Sequence, residues 1–408
     1  MTGEHHPRRG QPTPDYVAQQ DRPLRMLFFN EGNLGTHVLG HGQLEAALRS
    51  GLEGLPSFDA RFAGLRPMGR LTLALATRRI RPLARANLDA QPLRWHLIQA
   101  LRARAAIAAE VSACRPDAIQ VHSHSIGLAL GRLITRIPVL LSVDVTVRDW
   151  WAMPAWRPDA GWAAVEIAPS VALERRALQR AALVLGWTAW ACRAVEAEAP
   201  SARVVEHHPG IDLKRFQPAR RRERTLPRIL FIGGRFREKG GEDLLSALSE
   251  AIGFDLEVDV VTPHQLEPRP GLRTHRLSPS APELIDLLQQ ADAFCLPSHA
   301  DAAPWAVLEA MACGTPVVST RVGGIPDMLA EGRAGVLIDH GDRRALREAI
   351  QSLLANPRWA EQLAIAARRR CEERFDASLQ LRRLAAMVRD LLLIRERRAE
   401  GGSGGLRR

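Results

Sequence analysis

The stretch Pro297-Ser-His-Ala-Asp301-Ala-Ala-Pro-Trp305-Ala-Val-Leu-Glu309-Ala-Met-Ala-Cys-Gly-Thr-Pro-Val317 decides how this chain is read. The apolar run Ala293-Phe-Cys-Leu296 before it predicts a strand, and Pro316-Val-Val-Ser319 at its end predicts another. Between them a loop carries Asp301, and a helix is expected to begin near Pro304 with Glu309 inside it. In doubly wound sheets ligands sit beyond the carboxyl ends of strands, where this sequence concentrates glycines and charges. Early amides of that helix would face the same ligand that the two carboxylates hold by its hydroxyls. Sugar and ribose hydroxyls suit such acceptors.

Working outward, the pattern repeats. A strand at 228–232 runs into the loop Gly233-Gly234-Arg235-Phe236-Arg237-Glu238-Lys239-Gly240-Gly241, then a helix at 243–251 and a strand at 256–261. Paired glycines let the backbone approach a ligand closely, and cationic side chains beside a helix N-terminus favour a diphosphate. Upstream, Arg25-Met-Leu-Phe-Phe-Asn30 reads as a buried strand entering a loop with Gly32 and Gly35, followed by a helix at 43–52. Further strands are expected at 117–121, ending at His122 and His124, at 138–143 and at 183–185, with a helix at 174–181. Strands alternating with helices imply parallel sheets. The expected class is α/β, with two Rossmann-like doubly wound domains. The expected boundaries are a flexible segment at 1–24, a first domain at 25–208, a linker at 209–227, a second domain at 228–375, a C-terminal helix at 376–400 packing back on the first domain, and a disordered tail at 401–408.

A chain of 408 residues exceeds the roughly 250 to 300 at which a single core stops growing. Its 46% apolar and 25% charged residues are ordinary for a globular protein. Five scattered cysteines form no metal-ligand spacing and suit a reducing cytoplasm. Residues 1–24 carry no apolar core, so they read as neither signal peptide nor anchor. The net charge of +11 is concentrated at 61–104, where ten arginines face one acid, Asp89. No nucleic-acid motif accompanies them, so no nucleic-acid partner is expected. The alternation of Arg with Leu, Ile and Ala suits either an amphipathic helix on anionic lipid, giving peripheral contact at the inner membrane face, or solvated helix faces around a cleft.

With these residues in view, the sequence resembles the family-4 retaining glycosyltransferases, whose signature is Glu-x7-Glu followed by Ala-Met-Ala-x-Gly-x-Pro-Val. The resemblance includes Ala291-Asp-Ala-Phe-Cys-Leu-Pro-Ser298, Gly323-Gly-Ile-Pro326, Gly335-Val-Leu337, Gly341-Asp342 and Gly210-Ile-Asp212. It implies the GT-B fold, two Rossmann-like domains facing across a cleft. It also implies that Glu309 binds the donor ribose, that Asp301 binds sugar hydroxyls, and that Lys239 with Arg235 meets the diphosphate. Gly233 and Gly234 would line the donor, as would Gly35 from the looser N-terminal match. Backbone amides in the stretch with Ala303, Pro304, Trp305, Val307 and Leu308 would lie near sugar and phosphate, and the loop around Ser278 would border the base. The resemblance puts His122 opposite the donor sugar, with His124 as an equal-looking competitor, and Asp144 is a further acid after a strand. Two departures stand out: the first acid is Asp rather than Glu, and the Arg-to-Lys spacing is one residue short, which leaves Arg235 and Arg237 both open.

The implied reaction moves a hexose-type sugar from a nucleoside diphosphate to an acceptor hydroxyl, a glycan, lipid-linked or small molecule, with retention. No Asp-x-Asp motif serves the donor, so no metal and no cofactor is expected. The competing readings are a GT-B shell that binds nucleotide sugars without catalysis, and a nucleotide-sugar epimerase. Trp150, Trp151 and Trp156 either stack on an acceptor sugar or pack beneath it.

Overall fold

Among the described residues two six-stranded sheets form in which every strand pairing is parallel, built on short apolar central strands buried on both faces and flanked by partly exposed edge strands. The computed structural model describes residues 22–30, 38–78, 91–122, 136–153 and 163–403, with positions 80, 82, 89, 127 and 155. The first sheet comprises β1 (Leu24–Asn30), β2 (Phe58–Gly64), β3 (Ala118–His122), β4 (Val139–Val143), β5 (Leu183–Gly186) and β6 (Val204–Glu206), in the order β2-β1-β3-β4-β5-β6. Its helices are α1 (Val38–Leu52), α2 (Arg70–Thr77), α3 (Gln91–Cys114), α4 (Val147–Ala152), α5 (Ala163–Arg180) and α6 (Ala189–Glu198).

The second sheet comprises β7 (Arg228–Ile232), β8 (Glu257–Val261), β9 (Leu272–His275), β10 (Ala293–Leu296), β11 (Val317–Thr320) and β12 (Val336–Ile338), in the order β12-β11-β10-β7-β8-β9. Around it lie α7 (Gly241–Ala247), α8 (Pro282–Gln290), α9 (Trp305–Ala312), α10 (Ile325–Met328), α11 (Arg343–Ala355) and α12 (Pro357–Arg370). Helix α13 (Ala377–Ser403) then returns to the first sheet. Leu381, Leu384 and Val388 share one buried cluster with Leu44 and Leu48 of α1. The contact is close at Gly51, where an added Cβ would lie 2.7 Å from Leu381 and 2.8 Å from the Ala377 backbone. Beside it, Ile211 pairs with the end of the preceding turn: its N–H donates to the Phe375 carbonyl (2.6 Å) and its carbonyl accepts from Ala377 N–H (3.1 Å). Among the described residues no helix is long and apolar enough to cross a membrane.

Several expected boundaries shift. β1 begins at Leu24, inside the segment read as flexible, and Arg22 is anchored by a bidentate pair with Asp117 (2.9 and 3.1 Å). The helix expected at 243–251 is α7, which starts at Gly241 and stops at Ala247. α13 continues through Gly401 to Ser403, past the point where glycine was expected to end order, while 404–408 lie outside the described residues. Within the stretch 209–227, Arg222 N–H and the Arg224 guanidinium bond Gln290 at the end of α8.

Candidate active site

Strand order creates the site. β7 sits between β8 and β10, so the chain leaves these neighbouring strands in opposite directions and a crevice opens beyond their carboxyl ends. The loop after β7 carries Lys239 and the loop after β10 carries Asp301. The Lys239 ammonium donates to Asp301 Oδ2, and both side chains are largely withdrawn from solvent. Two glycines make this approach possible. Gly240, at φ +77°, has the Pro297 carbonyl oxygen 1.9 Å from where a Cβ would stand, and Gly323, at φ +55°, has the Asp301 carbonyl at the same distance. His299 N–H donates to the Glu238 carbonyl (2.9 Å), fastening the two loops together.

Arg235 is half-buried and bonds Glu238 across the loop (2.9 Å), whereas the Arg237 side chain is 83% exposed and pairs with Glu242 (3.0 Å) on α7. Gly233 lies buried against Lys239 Cβ (3.0 Å from a built Cβ), and Gly234 is exposed beside it.

Asp301 leads into α9, for which Pro304 is the N-cap residue. Proline has no N–H, so one of the amides expected between 303 and 308 is absent there. Val307 N–H already bonds the Pro304 carbonyl (3.1 Å), which leaves Trp305 and Ala306 as the first-turn amides facing outward. Ala303 is buried, and the Val307 and Leu308 side chains are core residues. Two residues into the second turn, Glu309 is 2% exposed and accepts a 2.6 Å hydrogen bond from the Gln43 amide of α1. Burial pushes its carboxyl up to about 7, against the attraction of Arg215 and the Gln43 bond. Gln43, Asp212, Arg215, Pro279, Trp305 and Glu309 line a pocket of about 40 Å³, room for a few waters at most. Arg215 donates to the Pro279 carbonyl (3.0 Å), placing the loop of Ser278 at the pocket edge, where Ser278 itself is exposed and contacts Ser280 (3.0 Å).

On the facing side, His122 ends β3, 6% exposed, stacked on Trp187 (ring centroids 4.9 Å apart) and 3.3 Å from Ser142 Oγ, which also accepts from Trp187 Nε1 (2.8 Å). Trp187 meets Trp305 edge-on at 5.7 Å, and His208 touches both rings. One aromatic layer therefore separates His122 from the start of α9. Burial pushes His208 down to about 3, so it is neutral; its Nδ1 accepts from Gly210 N–H (2.9 Å), and Nε2 has no hydrogen-bond partner among the described residues. Asp144 follows β4 on the same rim. Trp151 is buried in a small cluster with Val147, Ile167 and Val171, so it packs rather than presents a face, and Trp150 is half-buried against that cluster. Gly35, His124 and Trp156 lie outside the described residues. Sequence reasoning missed Gln43, Arg215, Trp187 and His208. Only Arg215 and His208, flanking Gly210-Ile-Asp212, stood near a motif that could have pointed to them.

Comparison with known proteins fits this geometry. Residues 226–356 match the family described as Glycosyl transferases group 1. A glycogen synthase from Mycobacterium tuberculosis is 34% identical over 193 residues, covering 43% of this chain and 45% of the relative. A D-inositol 3-phosphate glycosyltransferase from Thermobifida fusca is 32% identical over 197 residues, covering 41% and 45%. The matches thus span under half the length of these curated relatives. Among solved structures, sucrose-phosphate synthase from Thermosynechococcus elongatus superimposes with a TM-score of 0.68 at 17% identity, covering 91% of this chain and 100% of that one. HepE from Anabaena in complex with UDP-glucose gives 0.62 at 16%, covering 90% and 100%. The two facing sheets are therefore a GT-B fold, and over residues 226–356 the chain is a glycosyl transferases group 1 domain.

Proposed function

We propose that this protein is a retaining glycosyltransferase that moves a hexose-type sugar from a nucleoside diphosphate to an acceptor hydroxyl without a metal. The observation that carries the reading is the meeting of Lys239 with Asp301 in the loop that leads into α9, with Glu309 one turn into that helix. The UDP-glucose bound by HepE supports the donor class.

In this reading the donor's sugar hydroxyls replace the lysine on Asp301, and the released Lys239 turns to the diphosphate. Arg235, held half-buried by Glu238, joins it, and Arg237 stays in solvent. Ribose hydroxyls take the place of the Gln43 amide on Glu309, which requires the small pocket between α1 and α9 to widen. As the glycosidic bond breaks, negative charge grows on the diphosphate and the sugar becomes oxocarbenium-like. Fixed cations and the outward amides of Trp305 and Ala306 favour that state over the ground state. The leaving phosphate oxygen takes the acceptor proton, so no protein base is assigned. His122, beneath Trp187, supports the sugar side of the cleft.

The test is Lys239→Ala and Glu309→Ala assayed with a panel of nucleotide sugars, with and without chelator. Folded variants should lose most transfer, and chelator should leave the parent enzyme unaffected. Near-normal turnover in either variant would sink the site, and donor binding without any transfer by the parent would favour a binding shell.

A further inference from the structure

Helix α2 buries a single residue, Ala76, and turns its leucines outward: Leu71 is 85%, Leu73 43% and Leu75 65% exposed. An amphipathic helix packed on a core does the reverse. Just beyond it Ile80 is exposed, and on the neighbouring α3 so are Leu97 and Leu101, one helical turn apart. The two helices are held side by side, since Arg94 donates to the Leu75 and Arg78 carbonyls (3.2 and 2.8 Å), Gln91 to the Ala76 carbonyl (3.3 Å), and Arg102 to the Arg66 carbonyl. Leu71 and Leu75, four residues apart, therefore share one face of a helix that is fixed against α3, and with Leu97 and Leu101 they exceed the single scattered apolar residues of an ordinary exterior; Leu73 lies on the other side of α2.

The rim of this surface is basic and not neutralised. Arg66, Arg70, Arg78 and Arg104 are exposed, and among the described residues none has a carboxylate within ion-pair distance. The one acid of the segment, Asp89, is buried and committed to Arg94 (2.6 Å) and to Ile80 N–H (3.0 Å). A second copy of the chain would set arginine against arginine, a like-charge cost. A nucleic acid would leave the leucines uncovered. An anionic lipid bilayer satisfies both halves of the surface, with leucines entering the interfacial region and guanidinium groups meeting headgroup phosphates. We propose that α2 and the first half of α3 dock this protein on an anionic lipid bilayer. The surface follows the carboxyl end of β2, so docking turns toward the bilayer the same rim of the first sheet on which His122 stands.

The experiment is flotation of the whole chain with vesicles of phosphatidylcholine alone, or of phosphatidylcholine with phosphatidylglycerol, at low salt. The parent should float only with the anionic vesicles, and less as salt rises. Leu71→Ser with Leu75→Ser should weaken binding at least ~10-fold, since each leucine loses the transfer from water into the interface. Arg66→Gln, Arg70→Gln and Arg78→Gln together should weaken it ~100-fold, at about fivefold per charge. All five positions are solvent-exposed, so an unchanged thermal midpoint and unchanged UDP binding verify that folding and the donor site are intact, whatever the transfer assay gives. Absence of anionic-lipid-dependent flotation overturns the proposal, as does flotation of the variants like the parent. A dimer of the parent that the leucine variant abolishes also overturns it, by assigning the surface to a second copy.

Discussion

Glu309→Gln probes the buried end of the site through folding alone. In the folded chain burial holds the Glu309 carboxyl up at about 7, against an ordinary value of 4.5 when the chain is unfolded. The native form therefore keeps a proton that the unfolded form releases, so this residue's contribution to stability falls as pH rises from about 4.5 through about 7 and is level above. A gap of this width corresponds to a loss on the order of 3 kcal/mol. Glutamine has the same shape, cannot ionise, and keeps an oxygen to accept from Gln43. Its midpoint should gain on the parent's by several degrees between about pH 5 and pH 8, followed by circular dichroism melting. Glu174, which burial raises to about 8, acts in the same direction, but it is present in both proteins and cancels in the difference. A difference between parent and variant that stays constant over this range would mean that Glu309 is not a buried group titrating near neutrality.

Gln43→Ala removes the amide that occupies Glu309, so UDP should bind up to about tenfold tighter in a calorimetric titration; weaker binding would rule out competition for the carboxylate. Gly240→Ala forces a Cβ against the Pro297 carbonyl at a left-handed φ and should cost several kcal/mol, lowering the melting midpoint well beyond measurement error; a parent-like melt would contradict the packing of the two loops. Arg235→Gln should lower UDP affinity about tenfold while Arg237→Gln leaves it unchanged, and the reverse outcome would exchange their roles.

The donor side of the site was legible because its parts are close in sequence. A four-residue apolar strand, the acid Asp301 and the helix holding Glu309 lie within one β-loop-α unit, and a parallel sheet leaves few ways to arrange them. The strands that escaped reading are the four sheet edges: β2, β6, β9 and β12. An edge strand is covered on fewer sides, so it tolerates Asp59 and Arg61 in β2 or Arg273 and His275 in β9, which interrupt the apolar run, while β6 and β12 are three residues each, too short to stand out. Gln43 was invisible for another reason: its partner is 266 residues away, and a glutamine on an apolar helix carries no local sign of which distant carboxylate it will meet.

The backbone crosses between the two halves twice, once near Ile211 and once near Asp376, and the crossings are hydrogen-bonded to each other. Any separation of the sheets wide enough to admit a nucleotide has to swing about that line, because sliding would tear both bonds at once. The paired crossings act as a two-leaf hinge, and they also make the assembly resistant to cutting. A protease nick in the exposed arginines at 220–222 severs one leaf only, so the fragments should elute together from a sizing column and part only in denaturant.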